Sequence, residues 1–404
     1  MQYIHLAKLY YQNEAEWQKI YQQRFSADTT RHFPLSLKQY GYKNSHPVFF
    51  CYNEELTNSL QRISELTLKL LLLKKSLPES ALEQFILDTI TEEIKSTNDI
   101  EGVRSTRKEI RELLSKLVDG KKSPRLASVV EQYALLSEGA AISFATCSNI
   151  REFYNNFLWE EIISDNPDNL PDGKLFRKGP VDIASSIIGK VVHQGLYPEA
   201  EIISAMEKAL AILHDDNIPV LIRNAIFHYL FAYIHPFYDG NGRMARFISS
   251  YFLAQSIDVT AALRLSVSIK KQKSRYYKLM AETDSDCNLG DLTPFVIYFL
   301  QLVEQSLRET ISTLEENQST MQNYVHIFRK LELSPKQQQL YCFLLEASLF
   351  YGLGLTIQQL QGLTECSRVT VQKQLDMISP EYLIIDQSRK PYRYKLDLEI
   401  LSNT

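Results

Sequence analysis

The feature that most constrains this chain is a twelve-residue segment, residues 235–246, with the sequence H-P-F-Y-D-G-N-G-R-M-A-R. Apolar residues at helical spacing fill the preceding stretch 218–234, which predicts a buried helix. Pro236 disfavours helical geometry at His235, so the helix is predicted to end there. A second apolar helix is predicted to begin near Gly242. The sequence therefore predicts two apolar helices joined by a short loop, and most of the polar residues of segment 235–246 lie in or next to that loop.

The chemistry of this loop favours an anionic ligand. Gly240 and Gly242 permit a tight turn in which the backbone approaches a ligand without a Cβ in the way. The first free N–H groups of the following helix would bind an anion. Arg243 and Arg246 lie three residues apart on one helix face. Two cations at a helix N-terminus oppose the helix dipole and each other, so an anion such as a triphosphate is expected there.

Two further side chains of the loop point to transfer of part of a nucleotide polyphosphate. A carboxylate beside phosphates, here Asp239, requires a bridging cation, for which Mg²⁺ is the natural choice. His235 would be the general base for an incoming hydroxyl. Each feature alone is more often a plain turn or a solvated face, but their concentration in one loop between two apolar helices reverses that judgement.

Residues 235–246 resemble the signature of the Fic family, H-P-F-x-(D/E)-G-N-G-R-x-x-R, at every specified position. The resemblance implies an all-helical core that transfers a nucleotide monophosphate, most often AMP from ATP with Mg²⁺, to a Ser, Thr or Tyr hydroxyl of a target protein. By position, it implies that His235 is the catalytic base and Asp239 the metal ligand. It also implies a set of residues around the nucleotide phosphates: Gly240, Asn241, Gly242, Arg243 and Arg246.

An upstream segment resembles the inhibitory motif of the same family, (S/T)-x-x-x-E-(G/N). Helical periodicity runs from Leu82 into this segment and predicts a helix, with a capping box at its start and Gly102 after its end. Thr97, Glu101 and Gly102 match the motif. The resemblance implies that Glu101 pairs with Arg246 and keeps ATP in an unproductive position. The chain is therefore expected to be autoinhibited by a helix that precedes the Fic core.

A softer match lies between Pro171 and Ile183, where turn signals alternate with short extended pieces. Taken alone, the stretch would be a surface hairpin. The resemblance implies a flap that holds the target by strand pairing, with Leu175, Phe176 and Arg177 as the docking residues.

The nucleoside pocket is expected after the signature, near Arg275-Tyr276-Tyr277. The two tyrosines occupy different faces of a helix, so at most one would line an adenine. Tyr277 is assigned that position.

Bulk properties favour a cytoplasmic enzyme. A chain of 404 residues holds two or three domains. A net charge of −4 argues against wholesale binding of nucleic acid or membrane. Five scattered cysteines without C-x-x-C pairs indicate reduced thiols and no zinc site. The first eleven residues are too polar for a signal peptide, and no apolar stretch reaches membrane-spanning length.

The predicted organisation has three parts. Residues 1–79 would be an N-terminal arm, irregular to about residue 50, with a helical extension. Residues 80–315 would be the Fic core with a short β-hairpin flap, including the inhibitory helix at about 80–102. Residues 330–404 resemble a small winged-helix-like α+β domain. Helices of the core are predicted at 106–118, 127–144, 199–214, 218–234, 242–256 and 291–315.

Three functions stay open from the sequence. The favoured one is a Mg²⁺-dependent protein adenylyltransferase restrained by Glu101. A second keeps the site but removes AMP from a target or transfers another nucleotide monophosphate. A third is a DNA-associated regulator that senses nucleotide, because residues 330–404 would serve DNA binding or protein interaction equally well. The oligomeric state is open, with a homodimer as one alternative.

Overall fold

The chain is mainly α-helical in the computed structural model, with three small antiparallel sheets. The predicted all-α class with few short strands is therefore confirmed. The structure describes residues 3–118, 126–184, 191–331, 333–387 and 390–402. Contacts divide the chain into two compact units, of which the first is Met1–Thr67 with Ile90–Leu307 and the second is Leu68–Thr89 with Arg308–Thr404. The predicted division at residues 79, 315 and 330 stays a prediction.

The following helices and strands precede the C-terminal elements in chain order. They are α1 (Leu6–Gln12), α2 (Glu14–Phe25), β1 (Thr30–Leu37), β2 (His46–Cys51), α3 (Glu54–Lys74), α4 (Glu79–Glu101), α5 (Arg107–Val118), α6 (Ala127–Ser137), α7 (Cys147–Asp165), β3 (Asp182–Ala184), β4 (Val191–Gln194), α8 (Glu199–Leu213), α9 (Val220–Ile234), α10 (Asn241–Ser256), α11 (Val259–Ala262), α12 (Leu265–Lys271), α13 (Lys273–Thr283) and α14 (Thr293–Lys330).

Helix α9 is the centre of the first unit. It is apolar on every face and is buried along nearly its whole length, packed against α8 and α10. His228 within it is fully buried and hydrogen-bonds with Ser249 and Tyr276. The loop that follows α9 is therefore fixed at both ends by buried helices.

The prediction of an irregular N-terminal arm was wrong. Residues 6–51 form two helices and an antiparallel strand pair, β1 with β2. The Asn13 side chain caps α2 by accepting a hydrogen bond from the Glu16 N–H. A small apolar cluster contains Leu6, Leu9, Phe49 and Cys51. The Tyr- and Gln-rich composition therefore belongs to short amphipathic elements rather than to an extended arm.

Two helix predictions of the core were wrong in extent, and helices α7, α11 and α12 were missed. The helix predicted over 127–144 ends at Ser137, followed by Gly139 at φ +75°. Helix α7 was absent from the prediction, although Thr146 forms a capping box with Asn149 at its start. Helix α14 continues to Lys330, where a linker was expected near residue 315. Its polar residues there are compatible with a continued helix because Glu and Gln are good helix formers.

The second unit contains the C-terminal elements. They are α15 (Pro335–Phe350), β5 (Leu355–Thr356), α16 (Ile357–Thr364), α17 (Arg368–Asp376), β6 (Leu383–Asp386), β7 (Arg393–Leu396) and α18 (Leu398–Leu401). The three strands form one antiparallel sheet in the order β5-β7-β6. Residues 388 and 389, between β6 and β7, lie outside the described residues.

Across the described ranges, no helix is both long and apolar enough to cross a bilayer.

Candidate active site

His235 lies at the corner where α9 ends, as the sequence predicts. Its backbone is left-handed, with φ 54° and ψ 62°, a conformation that costs energy for a residue with a Cβ. Its ring Nδ1 lies 3.2 Å from the Ala232 carbonyl oxygen. A carbonyl oxygen only accepts, so Nδ1 donates and the Nε2 lone pair is left free. This tautomer makes Nε2 the basic atom of the ring.

The environment keeps His235 uncharged. Its pKa is lowered to about 4, mainly by burial and then by the charge of His193. The positive charge of Arg177 acts in the same direction, whereas the Ala232 carbonyl and Glu101 oppose it. A neutral imidazole at ordinary pH is the state that a general base requires.

The loop behind His235 is held by buried side chains. The Phe237 N–H donates to Asn241 Oδ1 at 2.9 Å, and Asn241 Nδ2 donates to the Phe237 carbonyl at 2.7 Å. The Phe237 ring is buried and stacks on Tyr154 with centroids 3.8 Å apart. The Asn241 side chain thus supports the loop, and phosphate binding by this residue stays a prediction.

The glycine turn brings the start of α10 close to its neighbours. Gly240 is the N-cap with φ 84°, and a Cβ there would lie 2.4 Å from Leu158 Cδ1. Asp239, just before it, keeps 45% of its side chain exposed and lies 3.7 Å from an Arg243 nitrogen. No group of three or more His, Cys, Asp or Glu side chains suited to a metal occurs within the described ranges.

Arg243 is buried against a carboxylate that the sequence did not reveal. The side chains of Arg243 and Glu161 are 1% and 4% exposed, and Arg243 Nη1 lies 2.5 Å from Glu161 Oε1. Glu161 belongs to α7, 82 residues upstream. It neutralises one of the two cations at the start of α10.

Arg246 is held by the last turn of α4. Its Nε donates to Thr97 Oγ1 at 2.8 Å, and its Nη2 donates to Glu101 Oε1 at 2.6 Å. A Cβ placed on Gly242 would lie 2.0 Å from Glu101 Oε1. The Glu101 carboxylate thus lies directly over the glycine turn, where the sequence predicts phosphate binding. Gly102 follows with φ 77° and ends the helix.

The electrostatics of this pair are mutual. Burial alone would raise the pKa of Glu101, but the charge and hydrogen bond of Arg246, with smaller effects of Arg243 and His235, lower it overall. Burial would lower the pKa of Arg246, and Glu101 raises it overall. Both groups are therefore charged in the folded chain.

The flap prediction was wrong in its position. Residues 173–176 form a turn closed by a hydrogen bond from the Gly173 N–H to the Phe176 carbonyl. The strand pair begins only at Asp182, with β3 antiparallel to β4. Phe176 and Arg177 are completely buried and contact the signature loop, and Leu175 is half-buried. Their side chains are therefore unsuited to docking a target.

The segment 172–179, which we call the clamp segment, contacts the signature loop at several points. The Glu199 carboxylate accepts hydrogen bonds from three consecutive N–H groups, those of Lys174, Leu175 and Phe176, at 2.7–3.0 Å. The Tyr238 hydroxyl donates to Asp172 and accepts from the Gly179 N–H. Glu199 and Glu161 were not predicted from the sequence, because the partners of each lie far away in the chain.

The two tyrosines of α13 differ as expected from their helix faces. Tyr276 is buried, with its hydroxyl 2.8 Å from His228 Nε2. Tyr277 is 42% exposed. The Glu101 and Arg246 charges both affect its pKa, which burial raises to about 12. Tyr277 is thus the more exposed of the two tyrosines, and its contact with a nucleoside stays a prediction.

The structure thus places a histidine, a glycine turn and two arginines at the start of one helix in a largely helical fold. Residues 156–253 match the profile of the Fic/DOC family. The matched region, which contains His235, the glycine turn and both arginines, is therefore similar to a Fic domain.

Two curated proteins with Fic in their names are similar to this chain. The chain is 24% identical over 249 residues to "Protein adenylyltransferase fic-1" of Caenorhabditis elegans, which covers 60% of this chain and 46% of that protein. It is 26% identical over 235 residues to "Protein adenylyltransferase Fic" of Drosophila ananassae, covering 56% and 43%. The chain thus spans about half the length of the curated relatives that it matches.

A Fic family protein from Desulfovibrio desulfuricans has a similar fold. The TM-score is 0.51 at 22% identity, and the match covers 86% of this chain and 97% of that one.

Proposed function

We propose that this chain is a protein adenylyltransferase that transfers AMP from ATP to a Ser, Thr or Tyr hydroxyl of a target protein. Two curated relatives carry that name. The observation that carries the proposal is the arrangement at the start of α10. There, a neutral histidine with a free Nε2 adjoins two buried arginines whose charges are balanced by carboxylates. Phosphate oxygens are suited to replace such a carboxylate.

In the proposed reaction the target hydroxyl oxygen attacks the α-phosphorus of ATP. His235 Nε2 takes the hydroxyl proton as the new P–O bond forms. The bond between the α-phosphorus and the oxygen that bridges to the β-phosphate breaks, and pyrophosphate leaves with that electron pair. The N–H groups around Gly240 and Gly242 stabilise the α-phosphate charge, and Arg243 and Arg246 hold the β- and γ-phosphates.

A divalent cation fits this site through Asp239. Mg²⁺ binds through one or two carboxylates together with substrate phosphates. The exposed Asp239 carboxylate before the glycine turn is a donor of this kind. When bound, Mg²⁺ would neutralise the phosphate charge beside it.

We also propose that Glu101 inhibits the reaction. Its carboxylate occupies Arg246 and covers the turn at Gly242. In that state Arg246 is directed away from a γ-phosphate, and ATP would bind unproductively. Thr97 holds the same guanidinium one helical turn earlier.

The proposed setting is the cytoplasm, because the five cysteines are free thiols and none forms a disulfide. The partners are ATP and a hydroxyl-bearing protein. Removal of AMP, or transfer from another nucleotide, is the alternative at the same site, since no residue that holds the phosphates distinguishes the base.

Incubation with α-³²P-ATP and Mg²⁺, followed by gel autoradiography, tests the proposal. We expect label on Glu101→Gly protein, faint label on the wild type and none on Glu101→Gly/His235→Ala. Parallel reactions with γ-³²P-ATP exclude phosphorylation, and α-³²P-labelled GTP and CTP test the donor. Equal labelling of wild type and Glu101→Gly would overturn the proposal that Glu101 inhibits the reaction. Label that persists in Glu101→Gly/His235→Ala would overturn the proposal that His235 is the base.

A further inference from the structure

Arg177 contacts the backbone on both sides of the His235–Pro236 peptide bond. Its Nε donates to the His235 carbonyl oxygen at 2.8 Å, and its own N–H donates to the Pro236 carbonyl oxygen at 3.2 Å. Its Nη1 donates to the Gly179 carbonyl within the clamp segment. These contacts hold His235, which has a left-handed backbone and a Cβ. That conformation needs support from the surrounding structure.

Among the described residues, no carboxylate pairs with the Arg177 guanidinium. Its side chain is completely buried, and its Nη2 has no hydrogen-bond partner in the described part of the chain. Burial lowers the pKa of Arg177 to about 10, and an electrostatic effect of Tyr238 opposes it in part. A buried cation without a carboxylate is costly, so a specific task is expected for it.

Neighbouring residues leave space for the Arg177 side chain and hold the backbone next to it. A Cβ on Gly195 would lie 2.3 Å from Arg177 Nη2 and 2.9 Å from His235 Cβ, so Gly195 leaves room for both side chains. Glu199 fixes the turn just before Arg177 by accepting three N–H groups. The guanidinium is thus held in place without neutralisation of its charge.

We propose that Arg177 is a positioning residue for the catalytic base, holding the His235 backbone in its left-handed turn and keeping the imidazole uncharged through its unpaired buried cation. This rests on the proposed role of His235. The charged groups that face His235 are Arg177 in the clamp segment, His193 in β4 and Glu101 in α4. Glu101 opposes the effect of Arg177, and His193 acts in the same direction.

The test uses the full chain in the Glu101→Gly background, with Arg177→Met, Arg177→Lys and the matched control Lys178→Met, which removes an exposed cation next in sequence. Labelling the eight histidines with ¹³C permits NMR titration, and the His235 signal is assigned by its loss in His235→Gln. The rate of AMP transfer and the KM for ATP are measured on the same samples.

For Arg177→Met we expect the pKa of His235 to rise by about one pH unit, and kcat to fall roughly 10- to 100-fold with an unchanged KM for ATP. Arg177→Lys keeps a cation but loses the paired donors, so kcat should fall while the His235 titration stays as in the parent. Lys178→Met should match the parent in kcat and in the pKa of His235.

Near-UV circular dichroism shows whether Arg177→Met is folded. If it is folded and the pKa of His235 equals that in the parent, the proposed electrostatic effect of Arg177 is overturned. Full activity in Arg177→Lys would overturn the proposal that Arg177 positions the His235 backbone. The same variant tests that proposal if Arg177→Met does not fold. If no protein transfers AMP, the proposed function fails, and the titration still decides the electrostatic role of Arg177.

Discussion

At the scale of single residues, the two arginines of α10 differ in how their partners are exposed. The Glu161 side chain, which pairs with Arg243, is 4% exposed, whereas Glu101, which pairs with Arg246, is 28% exposed. Moving Glu161 would require a buried helix to open. Glu101 is at the end of a helix and has access to solvent. We therefore infer that Arg243 keeps its partner permanently and that Arg246 exchanges its partner.

Glu161→Gln should destabilise the fold by about 3 kcal/mol, because it removes the buried carboxylate that neutralises Arg243 and leaves only the exposed Asp239 near that charge. Urea unfolding followed by circular dichroism measures the midpoint. Glu160→Gln, which changes the neighbouring exposed carboxylate, should leave the midpoint unchanged. A similar midpoint for the two variants would show that Glu161 does not compensate Arg243.

The low pKa of His235 predicts an unusual pH profile. A base with a folded pKa of about 4 stays unprotonated well below the ordinary histidine value of about 6.5. We expect kcat/KM of Glu101→Gly to stay level from pH 8 to about pH 5.5 and to fall only nearer the folded pKa. A half-maximal rate near pH 6.5 would contradict the environment described for His235.

The same pKa has a consequence for stability. Between about pH 6.5 and pH 4 the unfolded chain binds a proton at His235 that the folded chain does not. The free energy of unfolding should therefore decrease as pH falls through that window. In His235→Gln this contribution is absent, so subtracting its urea midpoints from those of the parent at each pH isolates it. An identical pH dependence in the two proteins would argue against a depressed pKa.

At the scale of elements, the last turn of α4 works as a unit. Thr97 and Glu101 are four residues apart, so both point to one side of the helix and reach the same guanidinium. Asp99, between them, points elsewhere and binds Lys95 and Lys270. Gly102 then ends the helix with a left-handed backbone. The position of the proposed inhibitory carboxylate thus depends on where this helix ends.

Thr97→Val should relieve inhibition in part. The change keeps the side-chain shape but removes an acceptor from the buried Arg246, a bond to a charged group worth about 1.5–3 kcal/mol. We expect the labelling rate to rise about tenfold over wild type and to remain below that of Glu101→Gly. Asp99→Asn removes a charge from the same turn and should leave the rate unchanged. A larger effect of Asp99→Asn than of Thr97→Val would refute this account.

Elements were predictable from the sequence where local chemistry determines them. The periodicity of α9, the proline after His235 and the glycine after Glu101 located three helix ends to within about two residues. Helix α7 has a capping box and apolar residues at helical spacing, so its signal was present and was not used. The flap was misplaced because Phe176 and Arg177 turn inward to the signature loop, a contact that their local sequence does not encode.

At the scale of the whole molecule, the long-range partners could not be predicted. Glu161 meets Arg243 across 82 residues, and nothing near either residue names the other. The Glu101 contact spans 145 residues and was predicted only through the family resemblance. The N-terminal elements were missed because their composition is polar and their apolar cluster forms only between separate segments.

The C-terminal module allows a test of the DNA-associated alternative. Residues 330–404 contain eight Lys and Arg and eight Asp and Glu, so their formal net charge is zero. Val369 and Met377, at α17 and its end, are 78% and 59% exposed. DNA binding depends on neutralising phosphates with basic side chains. We expect no salt-sensitive shift of duplex DNA by the full chain in gel electrophoresis, and binding that weakens steeply between 50 and 200 mM salt would reverse that expectation.

The Glu101 contact can also be considered as a bound ligand that is part of the chain. Because the carboxylate is tethered to its site, its effective concentration is about millimolar or higher and does not change on dilution. Under the proposed inhibition, the γ-phosphate of ATP would therefore compete for Arg246 with a ligand that cannot diffuse away. Free glutamate or acetate added to Glu101→Gly would need a comparable concentration to restore inhibition. Under the proposed inhibition, control of this protein would depend on what moves the end of one helix, and not on how much of the protein is present.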